Sequence, residues 1–536
     1  MKSWRQLAVP GIFLLVGLAA FSNVINSWFL SDDFAQIGKV LGGDLSVVWG
    51  KAHGGFFRPL FILSYLIDTK IWGARPFGFH LTNIVFHSLN AFLTFLLSRR
   101  LIQELKLAAG VKSAVALGAG ALFLLHPSHT EAVSWISGRA DVFATFFCLA
   151  SLLFYLAYER SKRGLQLALS LLCFTLALLA KESAVCLPLL VLVIGLFVRR
   201  AHPNGRTVRR LLPVFALYFS ILLLFVFVRY AFLGSLVGGY GPSQHLNFSP
   251  GWLRDRLLEA AVRSVLPVLP NKLSWFLFKP LQSRAFICFS LACAALVGAA
   301  IIIRRKWYGS SDRRQQNRFL IALAGLFLCS LLPVINLRLT LYETLGERFL
   351  YLPTVFSCLL VTYLAAILLR RQTLLVSFLI CVAGFYSVRL IQTNQVWREA
   401  ANLSRSVTNE LADSSTSDHL IILNAHDSLR GVPVFHNGLP EALEYFQNRK
   451  RFKQVEVVVF QELQSAADEV TITSRSESPN ISLKQDNGNF ARVGPSRCLL
   501  VSTYTRTLVE FGPQPCAADA DLFFFDKGKM VRLANR

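Results

Sequence analysis

Apolar residues along this chain come in long unbroken blocks, with polar residues gathered into short stretches between them. A helix needs roughly 20 apolar residues to cross the hydrocarbon core of a bilayer. Blocks near that length lie at 7–25, 80–98, 112–126, 140–158, 164–181, 184–198, 211–229, 285–303, 319–337, 350–369 and 373–391. They predict an α-helical polytopic membrane protein with about 11 transmembrane helices. The third block is short, so neighbours should shelter it or it should extend into Leu105–Gly110. Leu257–Leu269 is apolar but broken by Glu259, Arg263 and Pro267, and Trp275, Phe276 and Phe278 follow. That pattern predicts an interfacial or re-entrant segment.

After Gln392 the pattern shifts. Gln395–Leu411 reads as a polar amphipathic helix. His419–Leu423, Val455–Phe460, Val470–Ser474, Cys498–Ser502 and Asp521–Phe525 read as strands, and Leu439–Phe446 as a helix begun after Gly438. The expected organisation is a membrane domain over 1–391 with outer loops 26–79 and 230–284, a connecting helix over 392–412, and a small C-terminal α/β domain over 413–536. No internal repeat is present, and no tetratricopeptide period.

Composition agrees with the spans. Of 536 residues 54% are hydrophobic and 16% charged, against roughly 25% charged in soluble domains. The net charge of +24 invites a nucleic-acid partner, but the Lys and Arg residues sit in clusters between apolar blocks, as the positive-inside rule produces. The clusters are Arg99–Lys112, Arg160–Arg163, Arg199–Arg210, Arg304–Arg318 and Arg370–Arg371. With eleven spans they all share the side of Lys2 and Arg5, so the N-terminus is expected in the cytoplasm and the C-terminal domain outside. Leu7–Val24 reads as a signal anchor. Cys498 and Cys516 are the only cysteines of the outer domain and are expected to form a disulfide. A bacterial inner membrane is favoured over the endoplasmic reticulum.

Ionisable groups at membrane depth are costly, and each asks for a reason. Here they gather on the outer side: Asp32 and Asp33 after the first span, Arg58, His80, Asn83 and His87, then His126, His129, Glu131, Arg139 and Asp141 around one loop. Lys181 and Glu182 share a tight corner, and Glu343, Glu347, Arg348 and Tyr351 another. Acids, bases and imidazoles on one side point to an outward-facing active site. Plainer readings stand beside this. Asp32 suits a helix start, Lys181–Glu182 suits a snorkelling pair, His80 and His87 suit core positions, and Arg348 a helix-end anchor. His126 and His129 are a weak metal signal, because Pro127 breaks the helix between them. The site residues themselves require no cofactor and no metal.

These residues lie in strings: Ser31-Asp32-Asp33, Phe57-Arg58-Pro59-Leu60, Phe79-His80-Leu81-Thr82-Asn83, His126-Pro127-Ser128-His129-Thr130-Glu131-Ala132-Val133 running on to Gly138-Arg139-Ala140-Asp141, Ala180-Lys181-Glu182, Glu347-Arg348-Phe349-Leu350-Tyr351-Leu352-Pro353, and Trp397-Arg398. In this order, over roughly 25–405, the chain resembles the transmembrane half of the transmembrane-and-tetratricopeptide O-mannosyltransferases. These are GT-C class glycosyltransferases that use polyprenyl-phosphate sugars. The family's repeat array has a different domain in its place here.

The resemblance implies a GT-C-like fold, a polyprenyl-phosphate sugar donor in the bilayer, and inverting transfer to a protein, glycan or lipid acceptor. It implies a carboxylate base after the first span, with Asp33 preferred to Asp32. Arg58, Arg139, Lys181 and Arg348 are the expected donor-phosphate ligands. His80, His126, His129, Glu131, Asp141, Glu182, Glu347 and Tyr351 would bind sugar or acceptor, or hold the cations. A transporter or a non-catalytic scaffold with the same fold stays open as an alternative.

Overall fold

The structure, a computed structural model, describes residues 2–43, 45–48, 55–199, 205–235, 247–267, 310–337, 339, 344–369, 371–447, 452–465, 468–474, 481–485, 489–494, 499–513 and 520–533. Helices cover ten of the eleven expected spans; the block at 285–303 lies outside the described residues. So do Cys498, Cys516 and Glu343.

Among the described residues five helices are long and apolar enough to cross a membrane: Pro76–Ile102, Ile136–Ser161, Leu211–Leu233, Arg314–Val334 and Gln372–Ser414. The short third block resolves into Ala109–Leu124, which bends by 45° into Pro127–Val133. It does not extend back into Leu105. Val115, Ala119, Leu122 and Phe123 are buried against neighbouring helices, which is the shelter a short span needs. Gly164–Ala180, Glu182–Val198 and Pro353–Leu369 are shorter apolar helices. Large apolar side chains remain exposed on several helices, among them Ile12, Leu165, Phe227, Ile321 and Ile380, as a lipid-facing surface requires.

Two expectations change. The last span and the connecting helix are one continuous helix, Gln372–Ser414. No Pro or Gly-rich break separates residues 391 and 392, and the apolar face passes directly into an amphipathic one. The outer loop 26–79 is itself helical, with Asp32–Leu41 and Pro59–Trp72. Within loop 230–284 the described part includes the helix Pro250–Arg263.

Among its described residues the C-terminal domain carries strands at all five expected places and five more. In chain order β1 is His419–Leu429, β2 Val432–Pro433, β3 Gln454–Leu463, β4 Val470–Ser474, β5 Ile481–Gln485, β6 Asn489–Val493, β7 Leu499–Tyr504, β8 Leu508–Pro513, β9 Asp521–Asp526 and β10 Lys529–Leu533. One sheet runs β10-β9-β1-β3-β6 with β2 on β1, and the other β4-β5-β8-β7. β1 lies parallel to both β3 and β9. Its run Leu420–Leu423 is wholly apolar because both faces are covered. Leu420 and Ile422 join the main core, while Ile421 and Leu423 join a second core with Val458, Leu483 and Phe511. The end of Gln372–Ser414 packs on this sheet, where the Glu410 carboxylate accepts from the Met530 N–H at 2.6 Å.

Candidate functional site

The Asp32–Leu41 helix begins at the expected Ser-Asp-Asp, and two carboxylates in its first turn complement the helix dipole. Ser31 does not cap it. Its φ is 49° and ψ −118°, a left-handed backbone that costs a non-glycine residue on the order of 1–3 kcal/mol.

The two aspartates then part company. Asp33 is 1% exposed. Its Oδ2 accepts the Leu30 N–H at 3.0 Å, and its Oδ1 accepts the Ser137 N–H at 2.8 Å and hydroxyl at 2.5 Å. Burial pushes its carboxyl up to about 7, against the pull of those donors. Asp32 is only half-buried, and its Oδ1 accepts from Asn437 Nδ2 at 2.8 Å. Asp33, expected to be the cavity-facing member, is thus the buried one and ties the loop to Ser137, and Asp32 is the more exposed carboxylate.

The 126–141 string folds as short helical turns inside the bundle. Gly138 passes so close to Glu131 that a Cβ there would sit 2.4 Å from its carbonyl oxygen. Arg139, expected to bind the donor phosphate, is fully buried and turned inward. Its Nε donates to Asn83 Oδ1 at 2.7 Å, Nη1 to Ser64 Oγ at 3.1 Å, and Nη2 to the Phe79 carbonyl at 2.8 Å. Nη1 also pairs with Asp68 at 2.6 Å. Its fork is taken up by the protein because the loop needs a buried tie between the Pro59–Trp72 and Pro76–Ile102 helices.

The remaining three cations form a row of ion pairs. Arg58 meets Glu182 through two bonds, of 2.9 and 2.6 Å. Lys181 Nζ meets Asp141 Oδ2 at 2.5 Å. Arg348 Nη1 meets Glu131 Oε1 at 2.5 Å. Lys181 and Glu182 are thus not a pair of their own; extended backbone at Lys181 sends neighbouring side chains to different partners. Lys181 Nζ lies 5.3 Å from the Phe349 ring centre and Arg348 Cζ 4.9 Å from the same point, so the two cations are within about 10 Å, one Debye length at ~0.1 M salt. Arg348 Cζ also sits 4.9 Å over Trp135, whose indole N–H donates to the Leu30 carbonyl at 3.2 Å. The cation row and the Asp32 loop meet at that indole. Beside the Lys181–Asp141 pair runs a crevice lined by Asp141, Thr145, Ser183, Ser330, Phe349 and Pro353.

The histidines and Tyr351 turn inward. His80 Nε2 donates to the Ser27 carbonyl at 3.1 Å. His87 Nε2 donates to the Leu124 carbonyl at 2.9 Å, which leaves Nδ1 to accept the Tyr351 hydroxyl at 2.6 Å. His126 Nε2 donates to the Ser264 carbonyl at 3.2 Å, and Nδ1 accepts the Ser128 hydroxyl at 2.7 Å. Both nitrogens of His126 are thus engaged in a way that leaves no lone pair for a metal. His129 Nε2 meets Thr354 Oγ1 at 2.7 Å. Among the described residues no three His, Cys, Asp or Glu side chains gather to hold a metal ion. All four imidazoles and Tyr351 are fully or almost fully buried.

Glu347 pairs with Arg263, also fully buried. Arg263 was visible in the sequence as a charge inside an apolar stretch. Asp68, Ser137 and Asn437 carried no such signal, and each becomes a partner only through the fold.

No family model matches the chain. Protein O-mannosyl-transferase Tmtc1 of Drosophila melanogaster is 34% identical over 199 residues, which cover 32% of this chain and 22% of that protein. Protein O-mannosyl-transferase TMTC4 of Homo sapiens is 26% identical over 469 residues, 75% of this chain and 61% of that protein. The chain spans less than two thirds of the length of these curated relatives. Among solved structures, ArnT from Cupriavidus metallidurans in the apo state aligns over 96% of this chain and 100% of that one, at 14% identity and a TM-score of 0.44. The chain is similar in sequence to the protein O-mannosyl-transferases.

Proposed function

We propose that this protein is a membrane glycosyltransferase that moves a sugar from a polyprenyl-phosphate donor to an acceptor hydroxyl on the extracytoplasmic face, with inversion. The names of its relatives make mannose the first sugar to test and a protein hydroxyl the first acceptor. Asp32 is the base. It takes the acceptor proton as the acceptor oxygen bonds to the anomeric carbon, and the bond from that carbon to the phosphate oxygen breaks with its electron pair. A hydroxyl is a weak nucleophile near neutral pH, and such a base is worth about 10²-fold or more.

Charge then grows on the leaving polyprenyl phosphate. Arg58, Lys181 and Arg348 are the cations for it. Their carboxylate partners hold them in place. Arg139 supports the loop instead. The observation that carries this reading is that Trp135 touches both the Arg348 guanidinium and the Leu30 carbonyl, two residues before the half-buried Asp32, while Phe349 lies between Arg348 and Lys181. The basic clusters of the sequence support the outward orientation.

The test is release of polyprenyl phosphate from labelled polyprenyl-phosphate mannose, and from the same lipid carrying other sugars, by the full chain in lipid nanodiscs. Turnover that falls about 10²-fold or more in Asp32→Asn, with donor binding kept, is the expected result. Donor binding without turnover by the unaltered chain would leave a lipid-linked-sugar binder in place of an enzyme.

A further inference from the structure

The C-terminal domain touches the Asp32 loop and its helix through the turn Val434–Gly438 and through Phe446, whose ring centre lies 4.7 Å from that of Phe29 and 5.2 Å from that of Phe34. The Ser31 N–H donates to the Val434 carbonyl at 2.8 Å. The Asn437 N–H donates to Ser31 Oγ at 3.3 Å, and Asn437 Nδ2 donates to Asp32 Oδ1 at 2.8 Å. Phe435 stacks on Phe34 with ring centres 6.1 Å apart. Gly438, at φ 89°, lies so close that a Cβ would stand 2.5 Å from the Ser31 carbonyl oxygen. These contacts converge on the Ser31 backbone, whose carbonyl also accepts the Phe34 N–H at 3.1 Å. The turn from the C-terminal domain thus holds the loop together with these local bonds.

We propose that Asn437 is a positioning residue for the Asp32 carboxylate, so that the C-terminal domain completes the transfer site. The proposal rests on the reading of Asp32 as base. A carboxylate at a half-exposed helix start has several rotamers, and a base works only when held within reach of its proton. One amide N–H on Oδ1 fixes the carboxylate plane and leaves Oδ2 for the acceptor. A neutral donor does this without the full positive charge that would weaken a base. The backbone N–H of the same residue holds Ser31, so one side chain and one amide lock the loop together.

The experiment compares Asn437→Ala and Asn437→Asp with the unaltered full chain in nanodiscs, using labelled polyprenyl-phosphate mannose. Both variants are expected to lower kcat by about 10-fold to 100-fold, the scale of a small misplacement of a reacting group, with donor KM unchanged. Asn437→Asp keeps the shape but replaces the donor with a charge that repels Asp32, so it should be at least as impaired as Asn437→Ala. Hydrogen exchange should rise over residues 29–36 while the sheet of β1, β3 and β9 stays protected. Unaltered turnover in Asn437→Ala alongside an inactive Asp32→Asn overturns the proposal and leaves the base standing. A loss of protection throughout the sheet makes Asn437 a folding residue and also overturns it. Full turnover by Asp32→Asn is the separate failure of the base reading, and unchanged exchange over 29–36 then removes the clamp as well.

Discussion

Arg348 and Glu131 are joined twice. The guanidinium reaches Oε1 at 2.5 Å, and the backbone N–H of the same arginine reaches Oε2 at 2.8 Å. Glu131 is fully buried, whereas the Arg348 side chain keeps 18% of its surface. The carboxylate is the fixed member and the arginine the one at the edge. This is the order expected if glutamate holds a cation toward an anionic ligand.

Removing that cation strands a buried charge. Arg348→Ala should cost about 3–5 kcal/mol of stability, the range for breaking a buried pair from one side. Arg348→Lys keeps the charge and loses the fork, so it should fold and show a raised donor KM. Thermal melting and donor titration of the two variants decide the matter. An Arg348→Ala protein that melts like the unaltered chain would show that the pair is not formed.

Arg139 should behave differently. Arg139→Lys leaves Asn83 Oδ1 and the Phe79 carbonyl without their donors, and an unsatisfied buried acceptor costs about 1–3 kcal/mol each. The expected result is a protein destabilised by roughly 3 kcal/mol or one that does not accumulate, with normal donor KM in whatever folds. Normal melting together with a raised donor KM would return Arg139 to the phosphate.

Asp33 gives a pH test. Burial raises its carboxyl from 3.8 to about 7, so the folded chain favours the neutral form. The stability this contributes is present in full below 3.8 and lost as pH rises through about 7. Asp33→Asn cannot ionise, although it gives up one acceptor, facing either Leu30 or Ser137. Its stability deficit relative to the unaltered chain should be largest at and below about pH 4 and shrink as pH rises to about 7. A deficit that grows with pH in melting experiments would mean that the ionised form is the one the loop stabilises.

Much of the architecture was legible in the sequence. Crossing a bilayer demands a run of apolar residues, and nothing else in a chain of this composition produces such runs, so helices stand at ten of the expected blocks. Basic clusters and ionisable groups at block ends were equally readable, because lipid makes each charge expensive. The strong parallel strands β1, β3 and β9 were found from their apolar density. β5, β6, β8 and β10 were missed because alternating, half-polar strands in a small sheet look like loop.

What the sequence determined by itself is which residues are too costly to be accidental: the aspartate pair, the 126–141 string, Lys181–Glu182 and Glu347–Arg348. Which of them face outward was decided only by the tertiary structure. Successive residues on a helix point about 100° apart, so Asp32 and Asp33 were indistinguishable until Ser137 claimed one and Asn437 the other. Arg139 looked like any other cation until Asp68, Asn83 and Ser64 enclosed it. Partners brought from 56 to 405 positions away have no local pattern to announce them, and a buried charge is satisfied by whichever group the packing delivers.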